Sequence, residues 1–370
     1  MRNSHPDIKV SNMRASSGYV CHRVTADVDG APLWYESDEV ELSPAPEAFG
    51  TALLLPALHR GRRLSFDAPV CPAWLSNVGR LMKVWRGWWG YPELPPRAEA
   101  RAGAGARGGE TALCFSGGVD SFYTLLRGGQ RPDLLVALHG FDIPLRDRRR
   151  MAAFGRSLRV AAASVGAKAV VIRTNFREHP AAGRAGLWER AHGGALAAAG
   201  HLLAGRAGRL IISSTYSGRN PQPWGSSFMT DHFWSSGRLE VFHCGAEATR
   251  EEKLQFLAGE PLAREHLRVC WENRSPEGNC SRCGKCLATM LMLAELGLLE
   301  DFGAFARGAD LVARVNALPY VNANVFKLDR LVRRGRLDPE LNEAAGRLVK
   351  RSLRVRRIRA YVSRLREVFV

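Results

Sequence analysis

From Thr111 onward the sequence alternates short, nearly unbroken apolar runs with longer segments whose apolar residues recur at helical spacing, and this leaves few folds open. "TALCFS" reads as a strand and "SFYTLLRGG" as a helix. "DLLVALHGFD" is a second strand, followed by the helix "RRRMAAFGRSLRVAAASVG". "AKAVVIRTNF" is a third strand, followed by the helix "LWERAHGGALAAAGHLLAG". "RLIISSTYS" and "RLEVFHCG" are the fourth and fifth strands, with "TREEKLQFLAG" a helix behind them. Strands apolar throughout are covered on both faces, so the pattern predicts an α/β fold with a doubly wound parallel sheet. In such a sheet, ligands bind where strand carboxyl ends meet helix amino ends.

Four regions are expected. Residues 1–95 hold short strand-like runs and one helical stretch, "APEAFGTALLLPALHRG", and read as a small N-terminal α+β accessory domain. Residues 96–110, rich in Pro, Gly, Ala and charge, read as a linker. Residues 111–300 form the α/β domain, and residues 301–370 a basic, helical C-terminal region.

The segment "SGGVDS", Ser116–Ser121, falls between the first of these strands and its helix. Gly117 and Gly118 remove the side chains that would keep an anion from the unpaired N–H groups of a helix start. Ser116 and Ser121 add hydroxyl donors, and Asp120 offers a carboxylate for a Mg²⁺ ion bridging phosphates. The Ser116–Ser121 loop matches neither the Walker A pattern nor the dinucleotide fingerprint. A strand-to-helix turn that happens to contain glycines is the alternative, but Ser-Gly-Gly-x-Asp-Ser is far more specific than a lone glycine pair.

The second marked feature is C-x9-C-x2-C-x2-C, Cys270, Cys280, Cys283 and Cys286. Four thiolates complete a tetrahedral Zn²⁺ shell with no open position, which suits a structural site. Arg282 and Lys285 beside them offset its negative charge. An iron–sulfur cluster or a redox thiol pair are the alternatives. Cys21, Cys71, Cys114 and Cys244 are scattered in or near apolar runs and read as ordinary buried thiols.

"SGGVDS" after an apolar strand resembles the PP-loop of the N-type ATP pyrophosphatases, whose fold is the adenine nucleotide alpha-hydrolase type. Together with the C-terminal cysteine cluster, it is most similar to 7-cyano-7-deazaguanine synthase of queuosine biosynthesis, which has a C-x8-C-x2-C-x2-C zinc site. The resemblance covers residues 111 to about 295. It implies an ATP-dependent ligase: a substrate carboxylate attacks the α-phosphorus of ATP, pyrophosphate leaves, and a nitrogen nucleophile then displaces AMP. In the synthase that acid is 7-carboxy-7-deazaguanine and the nucleophile is ammonia. The resemblance places ATP on Ser116, Gly117, Gly118, Val119, Asp120 and Ser121. Asp120, supporting Mg²⁺, and Lys253, steadying the departing pyrophosphate, would be the catalytic residues, with Arg250 and Lys253 also binding ATP. The family's K-x-E segment is only partly kept here, since Glu-Glu-Lys-Leu-Gln lacks the acid after Lys253. His139, at the end of the second strand, is expected near the adenine or ribose by position alone.

The loop "SGRNPQPWGSSFMTDHFWSS" is long for such a connection. Trp224 and Trp234 are candidates to stack on a planar base, with Ser226, Ser227 and Asp231 to read its polar edge. A folded surface loop whose tryptophans pack inward accounts for it as well. His192 reads as a core or capping histidine, and "VWRGWWGYPELPP" as a packed interface between the first region and the α/β domain.

Formal net charge is +17, and residues 321–370 carry fourteen Lys/Arg against five Asp/Glu. That tail suits a nucleic-acid partner, or simply a solvated helical face. A nucleic-acid- or protein-modifying enzyme is therefore the second reading. Branches resembling the synthase also occur in bacterial antiviral defence. A nucleotide-sensing partner of a larger assembly is the third. Nothing in the composition opposes a homodimer. With no long apolar segment and no secretory signal at the start, no membrane association and a cytoplasmic location are expected.

Overall fold

The computed structural model describes residues 6–19, 21–103, 105–129, 131–182, 186–275, 277–306, 310–321 and 325–368, with side chains of the last helix described to residue 359. Ala104, in the expected linker, and residues 322–324, 369 and 370, in the basic tail, lie outside the described residues. Contacts group the chain into two compact units. The first is Met1–Ser116 with Asp120–Arg250, the second Gly117–Val119 with Glu251–Val370.

The first unit is built on the five expected strands: β5 (Glu110–Cys114), β6 (Leu134–His139), β7 (Lys168–Thr174), β8 (Ala207–Ser213) and β9 (Glu240–Cys244). They are parallel and lie in the order β7-β6-β5-β8-β9. The chain moves outward from β5 in one direction, then returns to its other side at β8. The order therefore reverses beside β5, which makes the end of that strand the topological switch point.

The helices between them are α3 (Val119–Leu126), α4 (Arg148–Ser164) and α5 (Trp188–Leu202). Alternate residues of each strand are buried on opposite faces. Cys114, Val136, Ile212 and Val241 share one core with α5, while Leu113, Leu135 and Ile211 are buried outside it. α4 packs on β6 and β7, and Asp147 starts it, its carboxylate accepting from the N–H of Arg150.

The amino-terminal region does not stand apart. β1 (Ile8–Ser17), β2 (His22–Val28), β3 (Ala31–Ser37) and β4 (Leu64–Phe66) join the same nine-stranded sheet, in the order β4-β1-β2-β3-β7. β3 runs antiparallel to β7, pairing Tyr35 with Thr174 and Glu36 with Arg173. Arg173 donates to Glu36 at 2.8 Å and to Asp38 at 2.6 Å, so ion pairs reinforce the junction of β3 with β7. α1 (Pro46–His59) is apolar nearly all round and buried from Pro46 to Leu58, packed on α5. α2 (Pro72–Trp89) follows it. The accessory domain expected for residues 1–95 is thus part of the α/β unit.

The expected linker is also partly ordered by pairing. Arg97 N–H donates to Leu64 O at 2.9 Å, Val70 N–H to Glu99 O at 2.9 Å, and Arg101 reaches the buried Glu47 carboxylate at 2.9 Å. The second unit is helical. It comprises the bulk of α6 (Arg250–Ala258), then α7 (Pro261–His266), α8 (Gly284–Glu295), α9 (Leu311–Ala317), α10 (Val325–Arg334) and α11 (Pro339–Val368). Its boundary falls at residue 250, not 300, so the cysteine element belongs with the C-terminal helices. No helix among the described residues is long and apolar enough to cross a membrane.

Candidate functional site

β5 ends at Cys114, and the N–H of Phe115 still pairs with Val136 O at 2.8 Å. The chain then turns at Gly117, whose φ of +70° is strained for any residue with a side chain. Val119 and Phe122 are fully buried and fasten α3 behind the turn. Ser116 is exposed, and its Oγ lies 3.4 Å from that of Ser121. The resulting loop leads into the amino end of α3 at the switch point of the sheet.

Asp120 does not stand alone. Arg250 Nη1 donates to its Oδ2 at 2.8 Å, in a pair whose side chains are 14% and 20% exposed. These two sequence candidates, far apart in the chain, thus meet. Lys253, one turn further along α6, is buried. Within the second unit, the N–H of Arg268 donates to Gly117 O at 2.7 Å, which fixes the glycine turn from two residues ahead of Cys270.

His139 is placed differently from the expectation of a ribose or adenine contact. It is 4% exposed, and its Nε2 donates to Pro144 O at 3.0 Å. Burial holds its pKa below the ordinary histidine value. The ring staples the turn after β6.

The long connection between β8 and β9 is locked onto α5. The N–H of Gly225 donates to Glu189 O at 3.1 Å, and a Cβ on Gly193 would stand 1.8 Å from Gly225 O. Trp224 is half-buried between the rings of His192 and Tyr216, at 5.6 and 5.5 Å. Trp234 is corrected to a core residue. It is 1% exposed against Trp85, and its carbonyl accepts from His201 Nε2 at 2.9 Å, so it presents no face to a base. The same contact makes "VWRGWW" a packed interface. Burial lowers the His192 pKa, as suits a packed histidine.

Ser226, Ser227 and Asp231 bond to one another. Asp231 is fully buried, with Ser226 Oγ donating to Oδ2 at 2.6 Å and the Ser227 N–H to Oδ1 at 3.1 Å. A third donor, His243 Nδ1, reaches Oδ2 at 2.7 Å. His243 was hidden in the sequence because it sits inside the apolar run of β9. Its one signal is a histidine next to the carboxyl end of a parallel strand.

Cys270, Cys280, Cys283 and Cys286 are all buried, and their four Sγ atoms lie within 4.8 Å of one another. A tetrahedral ion with metal–sulfur bonds of about 2.3 Å holds its sulfurs about 3.8 Å apart. The Cys270–Cys283 and Cys280–Cys286 separations are both 3.9 Å, so the set can hold a single ion such as zinc. Hydrogen bonds with Cys283 and then Cys286 hold the Cys270 thiol below its ordinary pKa, while hydrogen bonds with Cys270 and then Cys283 push Cys286 upward. Asn279 organises the element. Its Oδ1 accepts from the N–H groups of Val269 and Cys270 at 2.8 and 3.1 Å, while its Nδ2 donates to Leu267 O and Ala304 O. Ser281 turns the knuckle with a φ of +52°, and Cys283 Sγ accepts from the Cys286 N–H at 3.5 Å.

No protein-family model, no curated protein and no solved structure matches the chain.

Proposed function

We propose that this chain is an ATP-dependent, AMP-forming ligase that adenylates a carboxylate and releases pyrophosphate, with the Ser116–Ser121 loop as its phosphate cradle. The observation that carries the reading is the place of that loop. It follows β5 where the strand order reverses, and turns at a glycine with φ of +70° into the amino end of α3. Backbone N–H groups, two hydroxyls and the nearby Arg250 supply donors for phosphate oxygens. Magnesium, when bound, would neutralise phosphate charge, and Asp120 is the carboxylate of the loop suited to support it. The attacking carboxylate is already ionised, so the first half-reaction needs no general base. The resemblance to 7-cyano-7-deazaguanine synthase makes 7-carboxy-7-deazaguanine the first acid to try.

The test is pyrophosphate release from ATP and Mg²⁺ with and without that acid, comparing wild type with Asp120→Ala. Release that depends on the acid and is lost in the variant supports adenylation. ATP binding without release under that acid removes it as the substrate.

A macromolecular acceptor is the second reading, favoured by Arg354, Arg356, Arg357 and Arg359 exposed along α11. Two of these have protein partners: Arg356 lies over Phe326 and Arg359 over Tyr320. RNA binding that weakens steeply with salt and is lost on reversing Arg354 and Arg357 to Glu would favour it.

A further inference from the structure

The Asp231–His243 pair is not used by the phosphate cradle, yet its construction exceeds what a loop staple requires. β8 and β9 pair Ile212 with His243, while β5 and β8 pair Leu113 with Ile211. One step on from Leu113, Cys114 is therefore level with Ile212 and with His243, two strands or about 10 Å across the sheet. Val241 shares the core of Cys114 and Ile212, and His243, two residues on, faces the same side. His243 is thus in register with the strand that leads, two residues later, into Ser116. Asp231 is near enough to act on Cys114, adding to the burial that pushes that thiol up to about 12.

Asp231 takes three donors, and two of them, Ser226 Oγ and His243 Nδ1, converge on Oδ2 at 2.6 and 2.7 Å. A carboxylate that only accepts assigns the ring proton to Nδ1. Nε2 is then the nitrogen with the lone pair. The His243 side chain is 4% exposed, and its Nε2 is buried with no hydrogen-bond partner among the described residues. A clamp between loop and strand would need Nδ1 alone, and leaving a buried acceptor bare costs about 1–3 kcal/mol. Such an orphan atom fits a group waiting for a ligand. Ser226 and Ser227, which hold Asp231, also line a small crevice with Ser214, Tyr216, Gln222 and Phe228. The Phe228 ring lies 6.5 Å from the His243 ring and is 39% exposed.

We infer that His243, oriented by Asp231, is the base of the second half-reaction, taking a proton from ammonia or a primary amine as it attacks the acyl adenylate. This rests on the adenylation reading above. The amine nitrogen forms a bond to the acyl carbon, and the bond from that carbon to the AMP oxygen breaks. AMP leaves with the electron pair, and the proton lost by nitrogen moves to His243 Nε2. Asp231 is a positioning residue, since it acts through the ring.

The experiment uses the full chain with ATP, Mg²⁺ and 7-carboxy-7-deazaguanine, and compares ammonium with hydroxylamine as nucleophile. Hydroxylamine attacks acyl adenylates without a base, so it reports adenylation alone. His243→Gln should lower ammonium-dependent product about 10²-fold while hydroxamate formation stays within twofold of wild type. Asp231→Asn should give the same split with a smaller loss. Equal loss with both nucleophiles, or no loss with either, overturns the base role and leaves adenylation standing. No hydroxamate and no pyrophosphate from wild type overturns the adenylation reading and this inference with it. Nitrogen-15 spectra of the imidazole give an independent check: a proton found on Nε2 in the neutral ring excludes His243 as the acceptor.

Discussion

Arg250 Nη1 stands 2.8 Å from Asp120 Oδ2, joining the first residue of α6 to the second residue of α3. Partly solvated pairs of this kind contribute about 1 kcal/mol or less to stability. Charge aimed at a phosphate site is worth far more in a transition state. Asp120→Ala and Arg250→Met should therefore melt within a few degrees of wild type, while pyrophosphate release falls about 10²-fold. Differential scanning calorimetry beside a pyrophosphate assay separates the two effects. Large melting shifts with proportionate activity loss would make the pair structural.

The cysteine element and the glycine turn share a backbone hydrogen bond, from Arg268 N–H to Gly117 O at 2.7 Å. Purified protein should carry about one zinc per chain by elemental analysis. Cys280→Ser should lose the metal and weaken ATP binding several-fold, read by calorimetric titration. A metal-free variant that binds ATP normally would uncouple the two elements.

The contact of Gly193 with Gly225 should be among the least tolerant in the first unit. Gly193→Ala puts a methyl 1.8 Å from a backbone carbonyl and should cost about 3 kcal/mol or more. Gly87→Ala, in α2 where an added Cβ would meet no other part of the described residues within 4 Å, should be neutral or stabilise by up to about 1 kcal/mol. Urea unfolding of the two variants gives the comparison, and equal effects would refute the close approach.

His201 gives the fold a pH dependence with a definite sign. Burial holds its pKa down to about 4, against an ordinary 6.5, with Nε2 engaged by Trp234 O. Between these values the unfolded chain binds the proton and the folded chain does not. Stability is therefore complete above about pH 6.5 and is lost progressively toward about pH 4, by up to about 3 kcal/mol. Denaturation at pH 7 and pH 5 measures it, and His201→Gln should flatten the difference.

The core of the fold was legible because its signals are local. Continuous apolar runs such as "LLVALH" and the helical spacing of "RRRMAAFGRSLRVAAAS" placed strands and helices within a few residues of β6 and α4. The hairpin of β2 and β3 was equally local but went unread. Asp29 and Gly30 both have positive φ, and an Asp-Gly pair between short strands is the mark of such a turn. Sequence reasoning also kept the amino-terminal strands apart, because pairing of Tyr35 with Thr174 joins distant segments and leaves no trace in either.

By itself the sequence determined the alternating strands and helices, the glycine turn and the four clustered cysteines, since periodicity, a Cβ-free residue and thiol spacing are properties of neighbouring residues. Tertiary structure alone decided that Trp234 is core, that His139 staples a turn, that Arg250 meets Asp120, and that Asp231 finds His243. Those outcomes depend on which distant surfaces compete for burial and which buried donors find acceptors, and chain folding settles both only once the sheet has formed.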